Sequence, residues 1–286
     1  MILVDYSQIS ISNLMMQPDL LKTLDENLIR HMIVNSLRGL NVKFGKDYGE
    51  LIICADDKNY WRKDAFPFYK ASRKKNREAS PLDWNKIFEI LNRIRDELKT
   101  DFPYKVIQVS KAEADDIIAS FCLKHGVELK TASTEKILIV SSDKDFLQLQ
   151  RFVNVEQYSP TAKKFLREND PEKFLREHII RGDTGDGIPN ILSGDDSFVT
   201  GTRQKPVTEK KLNTWLTQEF ESFCDETMLR NVKRNEMLID LSKVPVEYQT
   251  KILETYETAP KNGRDKLMNY FIKNRMKQLM NHLQEF

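Results

Sequence analysis

The sequence predicts an α/β protein whose core is a parallel sheet flanked by helices, with a smaller all-α part behind it. Three observations carry this. Short continuous runs rich in Ile and Val, at 2–4, 51–55 and 137–140, read as strands buried on both faces, as parallel sheets require. Stretches with apolar residues at helical spacing lie between those runs, so strands and helices alternate. Beyond about residue 170 strand-like runs cease, and helical pieces separated by polar loops containing Gly and Pro take over.

After the first strand, Leu28, Ile29, Met32, Ile33, Leu37 and Leu40 describe a helix expected to stop between Gly39 and Gly45. Residues 51–55 form the second strand. The segment 58–82 is basic and aromatic, with Tyr60, Trp61, Phe66, Phe68 and Tyr69 around Pro67; it is too polar for core and should be an exposed excursion. Ile87, Ile90, Leu91, Ile94 and Leu98 mark an amphipathic helix returning to the sheet. Strand 104–109, helix 111–125, strand 136–142 and a short helix from 145 follow, with 153–158 as one more strand. A Gly-Asp-Thr-Gly-Asp-Gly-Ile-Pro turn at 182–189 opens the helical part, and 194–206 is a polar loop. Met268, Phe271, Ile272, Met276, Leu279 and Leu283 recur at roughly helical intervals and should complete that part. Two domains are expected, 1–180 and 181–286.

The chain of 286 residues has ample apolar content for a core. No window reaches the roughly 18 apolar residues of a spanning helix, so no membrane role is expected. Three scattered cysteines, Cys54, Cys122 and Cys224, argue against a disulfide framework and fit a reducing cytoplasm. Four scattered histidines make a Cys/His zinc site a poor fit. The net charge of +2 hides segregation: eight basic residues stand against Asp64 and Glu78 between Lys58 and Glu78, and six against Asp265 between Lys261 and His282. Such patches suit a polyanionic partner, although either alone reads as a solvated surface.

Acids recur where apolar runs stop. Asp5 closes the first run, Asp56 the second, and Asp143 with Asp145 follows Ile137 to Ser142; Glu113 and Asp115 come after the weaker run 104–109. Ligands of open parallel sheets bind beyond the carboxyl ends of the strands, so these acids should converge on one edge. So many close carboxylates would raise one another's pKa unless cations neutralise them, and hard divalent ions, Mg²⁺ or Mn²⁺, are the natural choice. Each acid alone has a plainer reading as a helix cap or first-turn acid. Asp183 and Asp186, three apart among glycines, can join the cluster if the helical part docks on that edge.

Taken together, the Leu3-Val4-Asp5-Tyr6-Ser7, Cys54-Ala55-Asp56, Tyr60-Trp61-Arg62-Lys63-Asp64 and Tyr69-Lys70-Ala71-Ser72-Arg73 motifs point to a known family. Glu113-Ala114-Asp115-Asp116, Ser141-Ser142-Asp143-Lys144-Asp145 and the 182–189 turn complete the series. In order and spacing over residues 1–190 the chain resembles the flap-endonuclease-like 5′ nucleases, and within them the branch of T-even phage ribonuclease H. The resemblance implies a resolvase/PIN-like sheet with a helical arch at about 58–82 and a DNA-binding helical domain. It also implies a two-metal phosphodiesterase with 5′-3′ exonuclease, flap endonuclease and ribonuclease H activity that removes RNA primers during replication. Carried over by motif, Asp5, Asp56, Asp115 and Asp143 would hold one Mg²⁺. Asp145, Asp183 and Asp186 would hold the second, with Glu113 and Asp116 in an outer position and Mn²⁺ able to substitute. Lys70 and Arg73 would neutralise the phosphate, with Arg62 assisting, and Tyr69 would stack an unpaired base; plain packing is the reading preferred for Trp61 and Phe66. Partners would be RNA·DNA hybrid and nicked, flapped or forked duplex DNA, and further a single-strand-binding protein and sliding clamp, with the enzyme a monomer. One departure is visible: the Gly-rich hairpin that follows Ile-Pro-Gly in many relatives is replaced here by Asn190-Ile191-Leu192-Ser193 and a polar loop. Arg203, Lys205, Lys210 and Lys211 are candidates to grip duplex in its place.

Two other classes compete. HAD-like phosphatases also put an early Asp at a strand end, but need a second acid two residues on, where this chain has Ser7. A non-catalytic DNA-junction binder would keep the basic patches without needing the acids. A single-domain PIN-type RNase lacks the arch and the helical part.

Overall fold

The computed structural model describes residues 1–129, 131, 134–260 and 262–286; Lys261, the first residue of the expected C-terminal basic patch, lies outside them. Strands β1 (Ile2–Asp5), β2 (Leu51–Cys54), β3 (Lys105–Ile107), β4 (Ile137–Val140), β5 (Val155–Ser159) and β6 (Lys164–Leu166) form one sheet in the order β3-β2-β1-β4-β5-β6. All neighbours run parallel except β6, which returns antiparallel on β5 and had no signal in the apolar pattern. The chain walks outward from β1 through β2 to β3, then resumes on the other side of β1 with β4. That reversal is the switch point at which parallel sheets open a crevice, and Asp5 and Asp143 flank it.

Because strand side chains alternate, the sheet buries two faces. Ile2, Val4, Leu51, Ile53, Leu138 and Val140 pack with α1 (Tyr6–Met15), α2 (Pro18–Thr23), α3 (Glu26–Tyr48) and α6 (Trp84–Asp101), while Leu3, Ile52, Cys54, Ile137 and Ile139 pack with α7 (Ala114–His125). Helix α3 starts where Asp25 accepts the amides of Asn27 and Leu28, and it passes straight through Gly39 and Gly45 to Gly49, whose φ of 83° ends it. The expected stop was wrong because of a difference in magnitude. A helical glycine costs about 1 kcal/mol, whereas burying Leu37, Leu40 and Phe44 gains about 1.5–3 kcal/mol apiece.

The basic excursion also differs from expectation. It contains α4 (Trp61–Ala65) and α5 (Ala71–Glu78), and only α5 buries nothing; Trp61, Arg62, Phe66 and Tyr69 are all interior.

Beyond residue 170, α8 (Pro171–Arg181), α10 (Glu209–Trp215), α11 (Phe220–Phe223) and α12 (Glu226–Ile239) gather around Ile179, Ile180, Ile191, Leu212 and Val232, while the short α9 (Ser197–Thr200) lies against α5. The rest of the chain does not stay with them. Helix α13 (Val246–Thr258) lies on α7, and α14 (Leu267–Lys273) with the 3₁₀ turns Lys277–Glu285 joins the opposite face of the sheet. Of the apolar residues expected to face inward there, Phe271, Met276 and Leu279 do so, whereas Met268 and Ile272 are 38% and 58% exposed.

Candidate metal centre

The carboxyl edge of the sheet is built from strand ends that double as helix caps. Asp5 Oδ1 caps α1 by accepting the Gln8 amide at 2.9 Å, and its Oδ2 accepts the Ser141 hydroxyl at 3.1 Å. Asp56 accepts the Ser7 hydroxyl at 2.5 Å and the Ala114 amide at 2.8 Å, which ties the end of β2 to the starts of α1 and α7. Asp143 accepts the Asp145 amide at 3.0 Å and opens the 3₁₀ helix Lys144–Arg151. The cap reading and the convergence reading therefore both describe these residues.

Their electrostatics are those of crowded anions. Burial, then the charges of Asp56 and Asp143, push the Asp5 carboxyl up to about 7. Burial and the neighbouring Asp143, Glu113 and Asp5 hold Asp115 well above the usual carboxylate range. Asp145 is likewise pushed up to about 7, by burial and by Asp143, Asp183 and Asp186, with His178 opposing. Five chain segments thus feel one another's charge, an arrangement that a divalent cation would relieve.

A second group lies beside them. The 182–189 turn closes through a bridge between Asp183 and Ile188, and it needs its glycines: Gly182 has φ 67°, and a Cβ there would sit 2.3 Å from the Ile188 carbonyl oxygen. This turn places Asp183 against His178, with Nε2 3.2 Å from Oδ2, while His178 Nδ1 lies 3.5 Å from Asp145 Oδ1. Burial would raise the Asp183 carboxyl, but the His178 contact and the Asp186 and Gly185 amides outweigh it and hold it below the usual range. Among the described residues, Asp145, His178 and Asp183 offer ligand atoms all within 4.8 Å of one another. His178 Nδ1 is buried and has no hydrogen-bond partner among the described residues, a position open to a cation when the ring carries its proton on Nε2. The sequence reading set the histidines aside; the usable signal was a His in the last turn of a helix leading straight into Gly-Asp.

Not every expected ligand faces this site. On the first turn of α7, Asp115 points to the acids and its neighbour Asp116 points inward, 0% exposed. Both Asp116 oxygens are occupied, by Arg62 Nη1 at 2.7 Å, Trp61 Nε1 at 3.0 Å and the Glu113 amide at 2.9 Å. Arg62, expected on nucleic acid, is 2% exposed and also donates to Glu113 at 3.0 Å and to the Leu238 carbonyl at 3.0 Å. Asp116 and Arg62 are thus internal scaffold, because two buried charges require each other. Tyr69, expected to stack a base, is 2% exposed, and its hydroxyl lies 3.0 Å from Glu113 and 2.8 Å from Asp186, sharing its one proton between the two carboxylates.

Lys70 and Arg73 are at the site, and carboxylates hold both. Lys70 Nζ lies 2.5 Å from Glu113 Oε1 and 3.4 Å from Asp186 Oδ2, and Arg73 Nη2 lies 2.5 Å from Asp186 Oδ1. The Lys70 amide also donates to the Asp186 carbonyl at 2.7 Å, so the arch is seated on the turn. Burial would raise Glu113, yet Lys70 and Arg62 hold it below its usual range. Arg203, Lys205, Lys210 and Lys211 are exposed on the loop before α10 and on α10 itself.

Residues 15–178 match the family model described as "5'-3' exonuclease, N-terminal resolvase-like domain", and residues 170–286 match "T4 RNase H, C terminal". The chain belongs to the 5′-3′ exonuclease family of nuclease hydrolases. Ribonuclease H of Enterobacteria phage T4 is 33% identical to it over 296 residues, spanning 99% of this chain and 95% of the phage protein. A flap endonuclease Xni of Shewanella sp. (strain MR-4) is 32% identical over 149 residues, 49% of this chain and 51% of that protein. Among solved structures, the bacteriophage T5 D15 flap endonuclease in a pseudo-enzyme-product complex with DNA and metal ions superposes with a TM-score of 0.56 at 20% identity, covering 90% and 99% of the two chains. A T5 5′-exonuclease with divalent zinc bound gives 0.57 at 18% identity, covering 91% and 99%. At these identities the likeness is one of fold.

Proposed function

We propose that this nuclease is a divalent-metal-dependent 5′-3′ exonuclease and flap endonuclease. Its substrates would be phosphodiester bonds of RNA·DNA hybrids and of nicked, flapped or forked duplex DNA, and its role the removal of RNA primers in replication. The observation that carries the reading is the meeting of Asp5, Asp56, Asp115 and Asp143 at the sheet's switch point, with Asp145, Asp183 and Asp186 beside them. An oxygen-rich donor set of this kind suits two Mg²⁺ ions, with Mn²⁺ as a substitute. Asp5, Asp56, Asp115 and Asp143 would hold one ion, and Asp145, Asp183 and Asp186 the other. When bound, such ions supply Lewis-acid activation of water and neutralise charge on the scissile phosphate.

The chain's own residues do the rest. Ser7 and Ser141 fix the rotamers of Asp56 and Asp5 through their hydroxyls. Lys70 and Arg73, now on Glu113 and Asp186, have the donors to transfer to a phosphate that competes for them. Arg203, Lys205, Lys210 and Lys211 would contact the duplex backbone, with binding that weakens steeply as salt rises. The monomer reading, and contacts with a single-strand-binding protein or sliding clamp, belong to the same proposal. The family match and the buried Lys70–Glu113 pair favour neither a phosphatase nor a non-catalytic junction binder.

A 5′-labelled flap or RNA·DNA hybrid incubated with the protein and Mg²⁺ tests this. Product should vanish with EDTA, and Asp143→Asn should slow the saturated rate by more than about a hundredfold, since loss of a mere supporting contact costs 10–100-fold. Cleavage indifferent to both would refute the metal chemistry.

A further inference from the structure

The geometry points to His178 as a nitrogen ligand of the second cation position, through Nδ1, giving that position a preference for Mn²⁺-class ions over Mg²⁺. The inference rests on the two-metal reading above and changes one ligand of it: His178 Nδ1 joins Asp145 and Asp186, while Asp183 holds the ring at Nε2. His178 sits in the last turn of α8, its ring edge-on to Phe174 at 5.9 Å and 66°, at the wall of a cleft of about 470 Å³ that also exposes Asp143, Asp145 and Asp183. On one side of the ring, Nε2 lies 3.2 Å from Asp183 Oδ2, a hydrogen bond if Nε2 carries the proton. That tautomer leaves a lone pair on Nδ1.

Nδ1 is sealed from solvent and makes no hydrogen bond among the described residues, and the atom in front of it, 3.5 Å away, is Asp145 Oδ1, also an acceptor when that carboxyl is ionised. Two acceptors facing each other in a buried setting are unfavourable unless something positive lies between or beside them. The alternative is a second ring proton, making an imidazolium that bridges both acids. A carboxylate holding one ring nitrogen while the other faces an anionic ligand is the arrangement by which proteins orient metal-bound histidine. Imidazole nitrogen favours Mn²⁺, Co²⁺ and Zn²⁺ increasingly over Mg²⁺, which prefers oxygen alone. The first position, ringed by Asp5, Asp56, Asp115 and Asp143, has no such nitrogen among the described residues, so the two positions should differ in selectivity.

The experiment is pulsed EPR of the full chain with two equivalents of Mn²⁺, with natural-abundance and with ¹⁵N-histidine protein, beside Mn²⁺ and Mg²⁺ binding measured by calorimetry. Support requires three results: ¹⁴N modulation that changes on ¹⁵N-histidine labelling, its loss in His178→Gln, and a fall of about tenfold or more in the Mn²⁺ over Mg²⁺ affinity ratio of one site in that variant. Two bound Mn²⁺ with normal flap cleavage and no nitrogen coupling would overturn the assignment of His178 and leave the metal nuclease intact. Failure of the wild-type protein to bind two ions or to cleave would remove the two-metal reading, and this inference with it. The labelled wild-type protein needs no substitution, so the question stands even if His178→Gln folds poorly.

Discussion

A carboxylate in this molecule avoids an unpaired buried charge through a protein cation or through a raised pKa, and adjacent residues have taken different routes. Glu113, between Lys70 and Arg62, is held below its usual range, whereas burial keeps Asp116 raised even with Arg62 on it, and burial with like charge pushes Asp5, Asp115 and Asp145 upward. Arg62→Ala should therefore destabilise the fold by about 3–5 kcal/mol in urea unfolding, because two buried acids lose their counter-charge. A loss below about 1 kcal/mol would return Arg62 to the surface role expected from sequence. The raised acids set a pH dependence whose sign is opposite to that of a salt-bridged Asp. With Asp5 and Asp145 moved from 3.8 to about 7, the folded chain binds more protons than the unfolded one across that window. Metal-free stability should then fall as pH rises from about 4 to about 7. Asp145→Asn should flatten that fall in thermal melts with EDTA, and Mn²⁺ should raise Tm more at pH 7.5 than at pH 5. Equal metal effects at both values would contradict the crowding.

At the scale of elements, the site depends on the arch and the glycine turn locking together. Residues 69–73 and the 182–188 turn touch through the Lys70 amide, the Tyr69 hydroxyl and the Arg73 guanidinium, all on Asp186. Gly182→Ala forces a Cβ into the Ile188 carbonyl at a φ of 67°. It should cost at least about 1–3 kcal/mol and displace Asp183 from His178, read as lost stability together with weakened Mn²⁺ binding. Unchanged melting would show that the turn has room to shift. Much at this scale was legible beforehand. The strand ends at Asp5, Asp56 and Asp143 were plain from apolar runs, and 182–189 read as a turn from its glycines. The buried half of the arch was not, because Arg62 and Tyr69 look polar until Glu113, Asp116 and Asp186 are seen beside them.

For the whole molecule, the last 46 residues decide how the halves relate. The expected helical domain 181–286 keeps only α10 to α12 and the end of α8 around its own core, since α13 and α14 return to the two faces of the sheet. Deleting residues 267–286 would strip Leu267, Tyr270, Phe271, Met276, Leu279 and Phe286 from the main core. At about 1.5–3 kcal/mol each, their loss rivals a domain's whole net stability of about 5–15 kcal/mol. The truncated protein should lose its cooperative melt; an unchanged transition would restore the two-domain division. Sequence alone determined the parallel sheet, the acids at its carboxyl edge and the family, because apolar runs and motif spacing are local signals carried by consecutive residues. Tertiary structure decided which charges are scaffold and which face the cleft, that His178 belongs with Asp145 and Asp183, and where α14 packs. Those outcomes depend on burial and on partners far apart in the chain, which residue type and spacing do not encode.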